Sequence, residues 1–340
     1  MRPTLWMAAL LLVILAIVAC TKDEATMAVA DAPFILQLPP GAPAPPVPAD
    51  NPLTLASVKL GKALFFDERL SLGRGISCAS CHQPGRAFSD TVALSIGVGG
   101  LTGFRNAPTL ANVAYPPLLM RDGGAPSLEQ QVLIPLLDTV EMDATVDAVV
   151  AALGDVEPYR SGSMAAYGRP FDLFVLTAAL ASYERTLISG HSRFDRFFYQ
   201  NDSSALTAEE QRGWAIFNDE RGKCSACHSG FDLSDHDFHN IGTSLDHTSD
   251  AGRQRLTLHP GDRGKFKTPT LRNIALTAPY MHDGSMATLV EAVEHFNSGG
   301  LADPNKDPLL EPLQLSNQEK ADLVAFLRTL TDERPLDTVE

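Results

Sequence analysis

The sequence predicts a mainly α-helical protein that consists of two similar domains. Five segments carry apolar residues at the i, i+3, i+4 and i+7 positions of an amphipathic helix, and no strand-rich segment competes with them. The pattern C-x-x-C-H occurs twice, as CASCH at residues 78–82 and CSACH at residues 224–228. A chain of 340 residues is long enough for two domains with separate cores. We therefore expect two helical domains, one around each copy of the pattern.

The helical segments are NPLTLASVKLGKALFF, FDLFVLTAALASYERTL, TAEEQRGWAIFND, ATLVEAVEHFN and SNQEKADLVAFLRTL, in chain order. Thr207 with Glu210, and Ser316 with Glu319, have the spacing of a capping box, so they predict the start of two helices. Glycine-rich stretches such as SIGVGGLTGFRN, together with residues 229–265, predict loops.

The first 20 residues predict export. An apolar run from Leu5 to Val18 follows Arg2; it is shorter than a membrane span of about 20 residues and typical of a signal peptide. It ends in IVAC, which resembles the lipobox of bacterial lipoproteins, whose cysteine is acylated. We expect residues 1–20 to be a lipoprotein-type signal peptide, and the protein to lie in the periplasm, anchored to the outer membrane by Cys20. An uncleaved anchor helix is the alternative.

Residues 21–51 predict a tether. Seven prolines and several small residues lie between Ala32 and Pro48, a composition that favours an extended linker. The folded part is then expected near Pro52, with residues 52–191 and 192–330 as the two domains and residues 331–340 as a tail.

The net charge of −14 argues against nucleic acid as a partner, because binding to phosphates needs a surplus of lysine and arginine. An acidic surface either favours a small basic partner through electrostatic steering or serves solubility alone.

The remaining four cysteines form two pairs, each followed directly by a histidine. Zinc binding, a redox dithiol, a disulfide and haem attachment are the options for such a pair. An exported protein disfavours zinc thiolates, and C-x-x-C-H is the pattern of c-type haem attachment. The two thiols add to the porphyrin vinyl groups, and the histidine is then held under the iron. We expect two covalent haems, attached by Cys78, Cys81, Cys224 and Cys227, with His82 and His228 as proximal iron ligands.

A longer repeat surrounds the two attachment segments. GKALFFDER precedes the first and GWAIFNDER the second, while APTLANVAYPPLLMRDGGAPSL and TPTLRNIALTAPYMHDGSMATL follow them. This indicates internal duplication, so each half is expected to build a cytochrome c-like haem domain.

With these motifs, residues 52–330 resemble the bacterial di-haem cytochrome c peroxidases, whose superfamily includes the di-haem enzymes that mature methylamine dehydrogenase. The resemblance implies that the N-terminal haem reacts with H2O2, that the C-terminal haem receives electrons from a small cytochrome c or cupredoxin, and that a homodimer is possible. It also implies a distal set for the first haem, with Glu141 as acid/base, Gln131 as the group that orients peroxide, and Pro135.

The resemblance further implies one calcium ion between the domains, bound by the Asn106 side chain and by the carbonyl groups of Thr277 and Pro279. His282 matches a histidine near the propionates of the second haem.

This sequence departs from the family pattern at three positions. Val98 stands where typical members have a removable histidine ligand, so we expect a first haem that is five-coordinate or water-bound and needs no reductive activation. Arg121 replaces the tryptophan between the haems, which argues against a tryptophan relay. Phe296 stands at the position of the sixth ligand of the second haem and cannot bind iron. That iron is open, or it is bound by one of three candidates, Met281, Met286 and His295.

Four histidines in the loop after the second attachment segment are either part of a second metal site or polar loop residues, and we favour the latter: His236, His239, His247 and His259.

Three functions follow from these residues. The first is a peroxidase that reduces H2O2 with electrons from a small carrier. The second is a di-haem oxidase that modifies a protein substrate. The third, an electron-transfer protein without catalysis, is disfavoured because an electron carrier needs no distal acid/base such as Glu141.

Overall fold

The computed structural model describes residues 32–339, so the predicted signal peptide and Cys20 lie outside the described residues. Within the described part, the chain is mainly helical with very little sheet, as predicted. No helix in this range is both long and apolar enough to cross a membrane.

The N-terminal domain contains seven helices among the described residues: α1 (Leu55–Phe65), α2 (Cys78–Cys81), α3 (Leu128–Gln131), α4 (Leu133–Leu137), α5 (Val146–Leu153), α6 (Tyr159–Tyr167) and α7 (Leu173–Glu184). Short 3-10 helices lie at Glu68–Leu70, Pro84–Arg86 and Val98–Gly100.

The C-terminal domain contains α8 (Arg193–Tyr199), α9 (Ala208–Asn218), α10 (Gln254–Thr257), α11 (Leu289–Ser298) and α12 (Asn317–Arg328). Its 3-10 helices are Cys224–Ala226, Pro260–Asp262 and Ile274–Leu276. The strands β1 (Phe238–His239) and β2 (Phe266–Lys267) pair antiparallel, with Phe238 opposite Lys267.

All five predicted helices form, and both predicted capping boxes are confirmed. The Thr207 hydroxyl accepts from the amide of Glu210, whose carboxylate accepts from the Thr207 amide at 2.8 Å. The same exchange joins Ser316 and Glu319 at the start of α12. These bonds satisfy amide groups that have no partner within the helix, so they determine the residue at which each helix begins.

Each domain is built around one close helix crossing. Gly61 of α1 packs so tightly against α7 that an added Cβ would lie 1.9 Å from the Ala179 carbonyl oxygen. Gly213 of α9 makes the same approach to α12, where an added Cβ would lie 2.0 Å from the Asp322 oxygen. The two glycines occupy the same position of GKALFF and GWAIFN. Only glycine allows the helices to approach this closely.

A matched turn also occurs in both domains. Asn112 and Asn273 adopt left-handed backbone conformations, with φ of 59° and 58°. Their amides donate to the carbonyls of Leu187 and Leu330 at 2.8 and 2.9 Å. Such pairs are what a duplication would produce; the duplication itself stays a prediction.

The segment predicted as a tether packs against the folded body from residue 32 onwards. The Phe34 amide donates to the Leu53 carbonyl at 3.0 Å, and Phe34 and Leu36 pack on the N-terminal core. The Tyr115 hydroxyl donates to the Pro43 carbonyl at 2.9 Å. Between residues 32 and 51 the segment forms no helix, and it contacts the folded body before residue 52 because Phe34 and Leu36 are partly buried against the N-terminal core.

The segment predicted as a tail also returns to the N-terminal domain. Leu336 and Val339 belong to the N-terminal core, and Lys62 of α1 forms an ion pair with Asp337 at 2.9 Å. The C-terminal core, in contrast, uses residues between 194 and 330.

Candidate haem sites

The first attachment segment forms α2, and His82 follows its last residue. The His82 ring nitrogen Nδ1 lies 2.9 Å from the Phe88 carbonyl oxygen. A carbonyl can only accept, so Nδ1 carries the hydrogen and Nε2 keeps its lone pair free for a metal.

The second attachment segment repeats this arrangement. His228 Nδ1 lies 3.0 Å from the Leu233 carbonyl oxygen. Phe88 and Leu233 both have left-handed backbone conformations, with φ of 59° and 49°, and these turn the carbonyl toward the ring. Burial lowers the pKa of both histidines, which favours the neutral imidazole that binds iron.

The four cysteines of the described residues form no disulfide. Cys78 and Cys81 line one cavity, and Cys224 and Cys227 line another. We call these the haem-1 cavity, which contains His82, and the haem-2 cavity, which contains His228. Unpaired thiols beside a free imidazole nitrogen fit covalent haem attachment in each cavity.

The two cavities meet at one wall. Residues 106–109, residues 267–270 and Arg121 line both of them, and we call this set the shared wall. Residues 106–109 come from the N-terminal domain and residues 267–270 from the C-terminal domain. The Lys267 amide donates to the Arg121 carbonyl at 2.7 Å and joins the two sides of the wall.

The shared wall carries two cations, Arg121 and Lys267. No carboxylate of the described residues lies within ion-pair distance of either side chain. Burial lowers the pKa of Arg121 to about 10 and that of Lys267 to about 8, so both remain charged at neutral pH. Unpaired buried cations suit the carboxylate groups that haem carries.

The predicted distal residues come together in the haem-1 cavity. Gln131 ends α3, Pro135 lies in α4, and Glu141 follows in the next loop; all three line the cavity. Burial and the nearby Asp138 carboxylate raise the pKa of Glu141 above its usual value. Gln131 Nε2 makes a weak contact of 3.7 Å with the Met120 sulfur.

Comparison with known proteins agrees with this geometry. Residues 55–204 match the family described as Di-haem cytochrome c peroxidase, and residues 210–331 match the family Cytochrome c. Methylamine utilization protein MauG of Methylorubrum extorquens is 39% identical over 85% of this chain and 82% of its own length. The chain belongs to the di-haem cytochrome c peroxidase family. Cytochrome-c peroxidase IdrP1 of Denitromonas iodatirespirans is 37% identical, with 94% of this chain and 92% of the relative covered.

A solved structure of a MauG-like protein associated with microbial copper homeostasis has the same fold. Its TM-score is 0.85 at 36% identity, with 90% of this chain and 97% of that chain covered. The family thus includes proteins named as cytochrome c peroxidases and proteins named MauG, and its description as di-haem agrees with two cavities that each contain a C-x-x-C-H segment.

The loop where typical family members have a histidine ligand is bound to the segment that contains Glu141. The Val98 amide donates to the Glu141 carbonyl at 2.8 Å, and an added Cβ on Gly97 would lie 2.1 Å from the Val140 oxygen. Gly97 and Gly103 line the haem-1 cavity, whereas Val98 does not. The chain has no histidine between His82 and His191, so this loop contains none that could take the place of Val98.

The three candidate sixth ligands of the second haem lie in different places. Met281 lines the haem-2 cavity together with Phe296. Met286 packs against the C-terminal core, and its main chain pairs with Tyr280. His295 Nε2 lies 2.8 Å from the Ile241 carbonyl oxygen, which occupies that nitrogen. Met281 is thus the candidate in the cavity wall.

His282, which the resemblance implies to be near the propionates of the second haem, lies beside the shared wall. It lines the haem-2 cavity and stacks on Phe266, with ring centroids 3.8 Å apart. Its carbonyl accepts from the Asn106 amide at 2.8 Å, which connects the two domains at this point.

The predicted calcium ligands do not fit a calcium ion. Arg121 Nη2 donates to Asn106 Oδ1 at 2.7 Å, so a cation already occupies the side-chain ligand. Calcium on the same oxygen, at about 2.4 Å, would lie within about 5 Å of the guanidinium. Their repulsion would be about 7 kcal/mol at an effective dielectric constant of about 20, before any contribution from haem carboxylates. Thr277 and Pro279 line the haem-2 cavity nearby.

Sequence reasoning missed several residues that line the haem-1 cavity. Glu184 is buried, its Oε2 has no hydrogen-bond partner, and burial raises its pKa to about 8. In the sequence repeat, Glu184 is equivalent to Leu327, which lines the haem-2 cavity. A carboxyl group in one half where the other half has leucine could have indicated a special role for Glu184. Asp232 and His236 reach the haem-1 cavity from the C-terminal domain, which no local pattern could indicate.

The histidine-rich loop does not gather its histidines around one metal. His236, His239 and His247 each face a carboxylate of their own, and His259 Nδ1 accepts from the Gly261 amide. Within the described residues, one group has metal-ligand spacing: Cys227, Asp235 and His239. Cys227 belongs to the C-x-x-C-H pattern, so its sulfur is expected to attach haem and not to bind a separate metal.

Proposed function

We propose that the protein is a peroxidase that reduces H2O2 to two waters, with two electrons and two protons. The convergence of Gln131, Pro135 and Glu141 on the cavity that contains His82 carries this proposal. An electron-transfer protein needs no acid/base on the open side of its iron, whereas peroxide reduction requires a proton to move between two oxygens.

Glu141 is the proton carrier in this proposal. Its carboxylate takes a proton from bound H2O2 and returns it to the departing oxygen as water forms. The raised pKa of Glu141 makes its carboxylate a better acceptor of that proton than an ordinary glutamate. The Gln131 amide orients the peroxide, and Pro135, without an amide hydrogen, shapes the cavity beside it.

The haems, when bound, supply the iron that binds peroxide and the electrons that reduce it. A small cytochrome c or cupredoxin delivers the electrons, and the acidic chain favours a basic carrier. The protein works in the periplasm, anchored through Cys20.

The first haem, when bound, would be open to peroxide from the start. Val98 lies outside the cavity wall, and the loop that contains it is bound to the Glu141 backbone. Movement of this loop therefore exposes no iron ligand, and the protein needs no activation by reduction.

One assay tests the peroxidase proposal. Haem-loaded protein is mixed with H2O2 and reduced cytochrome c, and oxidation of the cytochrome is followed by absorbance. Turnover is expected from both the fully oxidised and the partly reduced protein. Absence of turnover from both rules out the peroxidase. Turnover only after reduction rejects the open first haem.

A second function, oxidation of a protein substrate, is supported by the similarity to MauG, which is 39% identical to this chain. Phe296 lines the haem-2 cavity where the peroxidases have a methionine ligand and the maturation enzymes a tyrosine, so it matches neither. Slow turnover with cytochrome c, together with peroxide-dependent modification of a co-purified protein seen by mass spectrometry, would favour this function over the first.

A further inference from the structure

Arg121 lies at the point where the two domains and the two cavities meet. Its Nη2 donates to Asn106 Oδ1 at 2.7 Å, and its Nε donates to the Asn106 carbonyl oxygen at 3.0 Å. Asn106 is 4% exposed, so the guanidinium binds a buried residue through two bonds. Two donors on one rigid fork hold both residues in a single arrangement.

The orientation of the Asn106 amide is determined by its other contacts. Nδ2 donates to the carbonyls of Val92 and Ala93, each at 3.2 Å. Because the amide nitrogen is used on that side, Oδ1 is left to face Arg121. The main chain of Asn106 is held as well, since its amide donates to the His282 carbonyl at 2.8 Å.

We propose that the guanidinium of Arg121 is the interdomain cation of this protein and takes the place of a calcium ion. It binds the oxygen that would be the side-chain ligand of calcium, and it lies in the wall of both cavities. Its positive charge is thereby available to the carboxylates of both haems. This proposal is independent of which reaction the haems perform.

The charges around Arg121 favour a single cation beside Asn106 Oδ1 and disfavour a second one. Arg105 lies close by, and its guanidinium is paired with Asp122 at 2.8 Å and Asp250 at 2.7 Å. Arg121 itself has no carboxylate partner among the described residues, although Asp283 is near enough to attract it. A calcium ion here would add two positive charges to one that is not neutralised.

The metal content of the haem-loaded protein tests the proposal. Wild-type protein is incubated with calcium chloride, passed through a desalting column and analysed for calcium by plasma mass spectrometry. We expect no stoichiometric calcium, and a thermal midpoint that does not change when a calcium chelator is added. A stoichiometric calcium ion in the wild-type protein would overturn the proposal.

Two variants test whether loss of the guanidinium allows calcium to bind. Arg121→Ala and Arg121→Gln free Asn106 Oδ1, and each is expected to gain one calcium ion per chain and a thermal midpoint that calcium raises. Lys267→Gln is the matched control, because it removes the other cation of the shared wall without freeing Asn106, and it should gain no calcium. Folded Arg121 variants without calcium would also overturn the proposal. If both unfold, the wild-type measurement decides alone.

Discussion

Arg272 Nη1 lies 2.9 Å from Asp195 Oδ1 in the interior of the C-terminal domain, where the side chains are 1% and 0% exposed. The guanidinium also donates to the Phe231 carbonyl at 2.7 Å. Asp195 accepts from the Ser192 amide at 2.8 Å and thereby caps α8. The ion pair thus connects the start of a helix to the loop that follows the second attachment segment.

Replacement of Arg272 by methionine is expected to lower the free energy of unfolding by about 3–5 kcal/mol, because Asp195 would remain buried without its charge partner. Urea unfolding of the haem-loaded protein, followed by circular dichroism, measures this change. Arg160→Ala is the control, since the Arg160–Glu157 pair is 64% and 51% exposed and should contribute less than about 1 kcal/mol. Equal effects of the two substitutions would contradict the role of the buried pair.

Alanine at Gly61 or Gly213 is expected to destabilise the domain that contains it. The added methyl group would overlap a carbonyl oxygen of the crossing helix, and such overpacking costs about 1–3 kcal/mol or more. Gly75→Ala is the control, because nothing lies within 4 Å of an added Cβ there. Thermal unfolding should show lower midpoints for Gly61→Ala and Gly213→Ala than for the wild type, and an almost unchanged midpoint for Gly75→Ala.

Glu141→Gln is expected to reduce peroxide turnover by about 100-fold or more, because glutamine cannot carry a proton. The active base is the carboxylate, so kcat/KM is full above the raised pKa of Glu141 and is lost as the pH falls through it. Asp138→Asn removes the nearby negative charge and should move this acid limb to lower pH. The role of Glu141 as the base would be rejected if the acid limb of the kcat/KM profile lay at the same pH in Asp138→Asn as in the wild type. It would also be rejected if Glu141→Gln turned over at the wild-type rate.

His82→Gly is expected to abolish turnover while the haem stays attached through Cys78 and Cys81. Added imidazole should restore part of the activity, because it can occupy the space of the lost ring. His228→Gly should instead alter the spectrum of the second haem. Absorption spectra and the cytochrome assay, with and without imidazole, separate the two sites. Full activity of His82→Gly without imidazole would contradict the assignment of the proximal ligand.

Features that depend on local pattern could be predicted from the sequence. The helices α9 and α12 begin at Thr207 and Ser316 because a hydroxyl and a glutamate three residues later are enough to form the cap. The two attachment segments could also be predicted from the sequence, because haem attachment requires the cysteines and the histidine to lie close together in the chain.

Features that depend on contacts between distant segments could not be predicted. Asp232 and His236 line the cavity of the other domain, and Arg121 meets Asn106 across 15 residues. The resemblance implied that Asn106 binds calcium between the domains, and in the structure its amide donates to the His282 carbonyl of the other domain. It could not indicate that the residue in place of tryptophan would reach the same oxygen, because that depends on where two separate loops lie in space.

The return of residues 336–339 to the N-terminal core has a consequence for biosynthesis. The C-terminal core is complete within residues 194–330, but the N-terminal core lacks two of its apolar side chains until the last part of the chain has been made. CASCH emerges long before that moment. A haem attached at that stage would enter a domain whose core is still incomplete, and residues 336–339 would complete the core afterwards.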